Sequence, residues 1–301
     1  MSINVLVGAQ ALLNFLPKKF GDHETFIRLE FMDRMSLSAA DRKIVYMLIR
    51  RYPLSWYFVL KITMKLAHYS SIIDRYNPQN ILASCEYSFT SSILTYYCES
   101  KNIKHINFMH GEKIYNIRES FCRFTEFYIW DEYYKTLFDS LKVVALKYIV
   151  NYPFDYINEN INKTNSNIEK VDYKFFLAIE TKDSLSKLKN VISALKENNC
   201  RVVIRPHPLY TNLKLLNRYF EKNMLEDSTI DIISSIMSAH NIVSIGSTVL
   251  FQAFKLNKKI IIDDVTQRKR FEYIKDNKYI IFTKKHCILS EILINITKEP
   301  L

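Results

Sequence analysis

The spacing of apolar and polar residues predicts a chain of alternating strands and helices. Short β-branched and aromatic runs at residues 3–7, 80–84, 105–109 and 174–179 are typical of buried strands. Residues 41–69 have the longer periodicity of a helix or a helix pair. Strands that alternate with helices form parallel sheets, so we predict an α/β protein.

The clearest pattern runs from residue 201 to residue 264. It predicts strand, loop, helix, strand, turn, helix and strand, with the strands at 201–204, 241–245 and 258–262. The first strand runs into Arg-Pro-His-Pro, where two prolines prevent a helix. The second runs into Gly-Ser-Thr ahead of an apolar helix. Ligands bind at the carboxyl ends of parallel strands, so we expect both loops to line one site.

The chemistry of these two loops suits a phosphate. Arg205 and His207 offer a guanidinium and an imidazole, while Ser247 and Thr248 offer hydroxyls and backbone N–H groups where a helix begins. Lys182, which follows the strand at 174–179, is a further candidate, although an exposed loop lysine is the commoner case. The predicted nucleotide-binding residues are Arg205, His207, Pro208, Gly246, Ser247, Thr248 and Lys182.

Two acid–base candidates follow strands of the N-terminal half. Glu86 and His110 each stand just after a strand, so a parallel sheet brings both to one edge. A carboxylate and an imidazole there can be tuned toward neutral pH for proton transfer. Gly111 supplies a turn that a packing histidine would not need, whereas Glu86 equally fits a surface or capping role. We predict that one of them is the catalytic base, with Glu112 as a third candidate.

The opening strand is followed by a predicted helix that contains Gln10 and Asn14. Four residues apart, the two side chains share one helix face near a strand end. Their ordinary interpretation is helix surface. We nevertheless predict that Gln10, Asn14 and Glu112 contact the acceptor or donor sugar.

Charge and cysteine content narrow the class of partner. The 301 residues carry a net charge of +11, which favours an anionic partner. Residues 41–69 interleave basic and aromatic side chains, a pattern that suits an anionic membrane surface, a solvated helix pair or nucleic acid. No nucleic-acid motif supports the third interpretation. Five cysteines without metal spacing favour a reducing compartment, so we expect a cytoplasmic protein, with peripheral attachment to the inner face of the membrane as an option.

Several common nucleotide motifs are missing from the sequence. It contains no G-x-G-x-x-G and no G-x-x-x-x-G-K-[ST], so dinucleotide oxidoreduction and P-loop hydrolysis are not supported. There is no D-x-D pair, and Asp263 and Asp264 are adjacent. We therefore predict a metal-independent site without a cofactor.

We expect two Rossmann-like domains that face each other across a cleft, the GT-B-like architecture. The first domain is predicted at 1–150, an Asn-rich linker at 151–171 and the nucleotide-binding domain at 172–301. The last helix is a candidate to pack back on the first domain. Residues 121–134 are aromatic-rich and are predicted to be core, and residues 268–285 are predicted to be basic and short-stranded.

These motifs resemble bacterial sialyltransferases and polysialyltransferases. The resemblance rests on the His-Pro pair at 207–208, the later Gly-Ser-Thr and the opening Gln-Ala-Leu-Leu-Asn. It implies that the His-Pro motif and the serine/threonine motif bind the phosphate of CMP. The His-Gly at 110–111 is similar to CDP-glycerol glycerophosphotransferases instead. Sialyltransferases of this kind carry an acidic motif at that place, so the identity of the base stays open between His110, Glu86 and Glu112.

The resemblance implies an inverting glycosyltransferase that moves sialic acid or a related nonulosonic acid from a CMP donor. The acceptor would be a lipid-linked surface glycan such as O-antigen or capsule. His110 or Glu86 would deprotonate the acceptor, and His207 would stabilise the departing phosphate. The alternatives are a CDP-glycerol or polyol-phosphate transferase, a Kdo transferase and, outside enzymes, a nucleotide-binding regulatory module. We expect no nucleic-acid partner.

Overall fold

The computed structural model describes residues 3–7, 16–17, 20, 26–29, 35–86, 90–153, 170–178, 180–227 and 229–298. The chain divides into two compact units. Met1–Gly111 and Tyr115–Pro153 belong to the first unit, and Glu112–Ile114 and Phe154–Leu301 belong to the second.

The first unit contains a six-stranded parallel sheet with the order β2-β1-β3-β4-β5-β6. Helices connect several of its strands, as expected for parallel strands. The elements are β1 (Asn4–Val7), β2 (Phe26–Leu29), α1 (Ala39–Arg51), α2 (Trp56–Tyr76), β3 (Asn80–Ala83), α3 (Ser91–Ser100), β4 (Lys104–Phe108), β5 (Arg123–Ile129), α4 (Tyr133–Ser140) and β6 (Val144–Val150).

The second unit contains a five-stranded parallel sheet with the order β11-β10-β9-β7-β8. The elements are β7 (Val171–Phe176), α5 (Lys182–Glu197), β8 (Val202–Arg205), α6 (Leu213–Leu216), α7 (Ile232–Met237), β9 (Ala239–Ser244), α8 (Thr248–Lys255), β10 (Lys259–Ile262), α9 (Arg268–Asp276), β11 (Cys287–Ile288) and α10 (Leu289–Lys298).

Helix α5 illustrates how the sequence forms these elements. Thr181 and Ser184 make a reciprocal capping box that satisfies backbone N–H groups at the helix start. Leu185, Leu188, Ile192 and Leu195 recur on one face and are buried in a cluster that also contains residues of the sheet, such as Phe175 and Ile204. Capping and periodicity therefore agree on one helix with one buried face.

The predicted α/β class is confirmed, with a parallel sheet in each unit. The helical region predicted at 41–69 is the pair α1 and α2, which breaks around Pro53 because proline disfavours helix in the residue before it. Strands β2, β5, β6 and β11 were not predicted. Strand β6 has no buried residue along its length, which explains the weak apolar signal. The predicted linker at 151–171 lies mostly outside the described residues.

One prediction is wrong. Residues 268–285 were predicted as short strands, but the structure has helix α9 and a 3-10 turn at Ile280–Thr283. The helix forms because Phe271 and Ile274 recur at a spacing of three and bury one face. Arg268 also pairs with Glu272 one turn later, at 2.9 Å between Nε and Oε1.

Candidate functional site

A cavity of about 490 Å³ lies at the carboxyl ends of β7, β8 and β9 in the second unit. This is the position at which parallel α/β sheets bind ligands. Both loops predicted to bind phosphate contribute to it, together with a cation from α9. Its lining includes Phe176, Ala178, Arg205, Pro206, His207, Pro208, Tyr210, Ile232, Gly246, Ser247, Thr248 and Arg270.

The loop that contains His207 fixes the tautomer of its imidazole. Its Nδ1 accepts hydrogen bonds from the backbone N–H groups of Leu209, at 3.1 Å, and Tyr210, at 3.3 Å. The Tyr210 ring lies 4.5 Å from the imidazole, centroid to centroid. Burial lowers the pKa of His207, which favours the neutral ring. Because Nδ1 is the acceptor, Nε2 carries the hydrogen and remains a donor for a ligand.

Arg205 is fixed from beneath the cavity. Its Nη1 donates to Glu226 Oε2 at 2.7 Å and its Nη2 donates to the carbonyl of Ile230 at 2.6 Å. Arg205 lines the cavity as a residue, and two N–H groups of its guanidinium are bound within the unit. A direct contact of Arg205 with phosphate stays a prediction, because its remaining N–H groups would have to make it.

Glu226 joins Arg205 to a second buried cation. Lys174 Nζ donates to Glu226 Oε1, and it also binds Ser238 Oγ at 2.6 Å and the Ser235 carbonyl at 3.0 Å. Burial raises the pKa of Glu226, but the hydrogen bonds from Lys174, Ser235 and Arg205 outweigh it and lower that pKa. Two buried cations therefore share one carboxylate, and the charge of Asp231 also interacts with Arg205.

The Gly-Ser-Thr turn takes the shape that its residues predict. Gly246 has a φ of +55°, in the left-handed region that glycine adopts without strain. Ser247 then caps α8, since its Oγ accepts from the Val249 N–H at 3.3 Å. Ser247, Thr248 and Val249 line the cavity at the start of this helix.

Arg270 is a cavity residue that was not predicted from the sequence. It projects from α9, and its Nη2 donates to the Gly246 carbonyl at 3.3 Å. Burial raises the pKa of Glu180, and the charge of Arg270 opposes that rise, so the two groups interact electrostatically. Because residues 268–285 were predicted as short strands, Arg270 was not expected near the cavity. The helical spacing of Phe271 and Ile274 was the signal that would have revealed it.

Glu112 is also in the second unit. The Tyr279 hydroxyl lies 2.7 Å from Glu112 Oε2 and 3.1 Å from the Ser247 carbonyl. Burial raises the pKa of Glu112 to about 8, and the hydrogen bond with Tyr279 lowers it only in part. The Tyr279 hydroxyl is the donor to both oxygens and so connects Glu112 to the backbone of Ser247. The carboxyl group is therefore a support of the Gly-Ser-Thr turn, and its predicted roles as base and sugar contact stay predictions.

In the first unit the two rival base candidates are partners. His110 Nδ1 lies 3.0 Å from Glu86 Oε1, an ion-pair distance. It lies 2.6 Å from Ser84 Oγ, and the Ser84 hydroxyl donates to Glu86 Oε2 at 3.4 Å. With Nδ1 as donor toward Ser84 and Glu86, the lone pair of the ring is on Nε2.

The surroundings separate the roles of the pair. Glu86 is fully buried, and Asn107 Nδ2 donates to its Oε2 at 3.1 Å. Asn107 in β4 pairs with Ala83 in β3, the residue directly before Ser84. This register brings the Asn107 side chain close to Glu86. The His110 side chain is 32% exposed. The accessible member of the pair is therefore the imidazole, and the carboxylate orients it.

The remaining predicted site residues do not join these sites. Lys182 begins α5, is exposed and does not line the cavity described above. Gln10 and Asn14 lie outside the described residues. Within the described ranges, no three His, Cys, Asp or Glu side chains group in a way that could hold a metal ion. None of the helices that the structure describes combines the length and the apolar character that crossing a membrane requires.

Compared by sequence, the chain matches no protein-family model and no curated protein. Compared by structure, it is similar to UDP-GlcNAc 2-epimerases. The enzyme from Neisseria meningitidis, solved with UDP-GlcNAc bound, is 13% identical, with a TM-score of 0.55 over 99% of this chain and 91% of that chain.

Two further solved structures are similar to this chain to the same degree. The S. aureus MnaA–UDP co-structure is 9% identical, with a TM-score of 0.55 over 98% of this chain and 90% of that chain. The Methanocaldococcus jannaschii UDP-GlcNAc 2-epimerase is 10% identical, with a TM-score of 0.54 over 99% of this chain and 92% of that chain. At these identities the similarity concerns the fold. The fold is GT-B-like, with two Rossmann-like domains, as the sequence predicted.

Proposed function

We propose that this chain is a glycosyltransferase that uses a nucleotide-activated donor. The observation that carries the proposal is the cavity at the strand ends of the second unit, in which His207, Arg270 and the Gly-Ser-Thr turn supply convergent donors. Groups of this kind suit the charge of a phosphate at a helix start. The fold is shared with enzymes whose structures contain UDP or UDP-GlcNAc, which supports a nucleotide sugar as the ligand class.

The base in this proposal is His110. Its Nε2 takes the proton of the acceptor hydroxyl, and the acceptor oxygen then forms a bond to the anomeric carbon of the donor. The resulting imidazolium is stabilised by the Glu86 carboxylate, 3.0 Å from Nδ1. Displacement by the acceptor on the face opposite the leaving group inverts the anomeric carbon.

The leaving group is the nucleotide phosphate. As the bond between the anomeric carbon and the phosphate oxygen breaks, negative charge grows on that oxygen. His207 Nε2–H, the Arg270 guanidinium and the hydroxyls of Ser247 and Thr248 are the groups proposed to stabilise it. A monophosphate leaving group needs no metal in this scheme, so we propose that turnover survives EDTA.

The donor that we favour is a CMP-activated sialic acid or related nonulosonic acid. Support comes from the resemblance of the His-Pro and serine/threonine motifs to sialyltransferases, and both motifs line the cavity. The acceptor in this proposal is a lipid-linked surface glycan such as O-antigen or capsule, elongated on the cytoplasmic side of the membrane.

A second candidate is a CDP-glycerol or polyol-phosphate transferase. The specific observation in its favour is the partly exposed imidazole of His110, followed by Gly111, where sialyltransferases have an acidic motif. Both candidates release CMP, so the nucleotide product alone does not separate them.

The test is a panel of donors with mixed glycan acceptors. Purified protein is incubated with CMP-sialic acid, CDP-glycerol or UDP-GlcNAc, and nucleotide release is compared with and without EDTA. We expect release of CMP from CMP-sialic acid that EDTA does not suppress. In parallel, CMP at 100 times its Kd should stabilise the protein by about 2.7 kcal/mol. Turnover of CDP-glycerol alone would select the second candidate, and strict dependence on a divalent metal would contradict the mechanism.

A further inference from the structure

The α1–α2 hairpin of the first unit presents large apolar side chains to solvent. The turn between the helices is the most exposed part, with Leu54 at 94% and Trp56 at 71%. An exposed apolar patch of this kind marks an interaction surface. Its members are Tyr46, Met47, Ile49, Tyr52, Leu54, Trp56, Tyr57 and Leu60. We call this set the hairpin patch.

The charge around the hairpin patch is of one sign. From residue 42 to residue 64 the chain contains five basic residues and no acidic one: Arg42, Lys43, Arg50, Arg51 and Lys61. The acidic residue that precedes this stretch in the sequence, Asp41, is buried and accepts hydrogen bonds from Ser38 and Ser70 at 2.6 Å each. The Arg51 guanidinium lies 5.8 Å from the centre of the Tyr52 ring, so the charges lie among the aromatic groups.

We propose that the hairpin patch docks on the surface of an anionic lipid bilayer, with the turn at Leu54 and Trp56 entering the headgroup region. Trp and Tyr favour that interface, and the flanking Lys and Arg reach lipid phosphates. A second copy of the chain would bring the same cations face to face, which like-charge repulsion opposes. A nucleic acid would bind the basic residues through its phosphates, but it would not bury the exposed Leu54. Only a bilayer surface matches both the charge and the apolar turn.

This proposal does not depend on the donor or on the base. A protein that does not bind anionic vesicles could still release nucleotide with a soluble acceptor. A protein that releases no nucleotide could still bind vesicles. The two failures are therefore distinguishable.

The experiment measures co-sedimentation with vesicles of phosphatidylethanolamine and phosphatidylglycerol, against vesicles of phosphatidylcholine alone. We expect binding to the anionic vesicles only. Tryptophan emission gives a second readout, because Trp130 is buried and Trp56 is exposed. A blue shift with anionic vesicles should come from Trp56, the indole that enters the headgroup region.

Two variants test the basic residues and the apolar residues of this surface separately. R50E/R51E should weaken binding by about 30-fold or more, since each basic residue near an anionic surface contributes a several-fold gain. Its matched control, K189E/K214E, makes the same charge change at exposed residues of the second unit and should bind almost as wild type.

L54S/W56S should weaken binding by about tenfold or more, because apolar burial is lost. Its control is Y96S/I117S, at residues 65% and 71% exposed.

Four results would overturn the proposal. One is wild-type protein that stays in the supernatant, and another is equal binding to neutral vesicles. A third is binding that falls in R50E/R51E but not in L54S/W56S, which would indicate a polyanion such as nucleic acid. The fourth is concentration-dependent self-association without lipid that L54S/W56S abolishes, which would assign the surface to a second copy. Circular dichroism on each variant checks that the fold is retained.

Discussion

The two units place their candidate chemistry at the same point of the fold, the carboxyl ends of parallel strands, but they build it differently. In the second unit, local backbone structure shapes the site: a proline-flanked loop, a glycine at positive φ and a helix cap. In the first unit, the site is a partnership of side chains from two strand ends, Ser84 and Glu86 with His110. A locally built site is readable from short motifs, and a side-chain partnership is not.

The buried charges differ in the same way. In the second unit, Glu226 binds two cations, Lys174 and Arg205, and all three side chains are at most 10% exposed. In the first unit one buried carboxylate, Glu86, lies beside an imidazole that is 32% exposed. The first arrangement holds Arg205 and Lys174 together through Glu226. The second leaves one ring nitrogen accessible for proton transfer.

The largest expected effect concerns the stability of the second unit. Glu226→Gln leaves Lys174 and Arg205 buried without their counter-charge, which costs about 3–5 kcal/mol. Urea unfolding should report that loss in the free energy of unfolding. The control is Glu221→Gln, at an exposed residue, with an expected change within about 0.5 kcal/mol. Equal stabilities for the two variants would mean that the buried cations do not need Glu226.

The next effect concerns the phosphate site. His207→Ala removes a proposed donor to the departing phosphate and should lower turnover by about 100-fold or more. Its melting temperature should stay near that of wild type, because the ring is partly exposed. His240→Ala, at an exposed histidine outside the cavity lining, is the control. Near-normal turnover in His207→Ala, with normal folding, would remove His207 from the mechanism.

A smaller effect is expected from the group that orients the base. Glu86→Gln keeps an oxygen near His110 but loses the charge, so kcat should fall roughly 10- to 100-fold with little change in KM. Ser84→Ala removes a neutral hydrogen bond and should cost roughly three- to tenfold. A larger loss in Glu86→Gln than in His110→Ala would reverse the two roles and make Glu86 the base.

The smallest effect is a pH dependence of stability from Glu112. Burial raises the pKa of this carboxyl in the folded protein to about 8, above its usual 4.5. The folded state then holds a proton that the unfolded state has lost, so the contribution is complete below about 4.5 and is lost as the pH rises through 8. We expect the wild-type melting temperature to fall more between pH 6 and pH 9 than that of Glu112→Gln. Parallel curves for the two proteins would rule out this role.

The sequence predicted most of the fold because strand runs and helical spacing are local signals. It also predicted the turn at Gly246 and the loop of His207, since glycine and proline restrict the backbone directly. Arg270 was missed because the helix that carries it was predicted as strands. The sequence predicted that Glu86 and His110 lie at one sheet edge, but it did not predict their direct contact, which depends on the register of β3 against β4.

The central claim is that proton transfer and nucleotide binding are separate tasks of the two units. The most direct test measures CMP affinity by calorimetry and turnover by nucleotide release in His110→Ala. We predict that turnover falls by about 10²- to 10⁴-fold, the typical contribution of a general base, while the Kd for CMP stays within about twofold of wild type. Retained turnover, or a loss of CMP affinity that matches the loss of turnover, would contradict the claim.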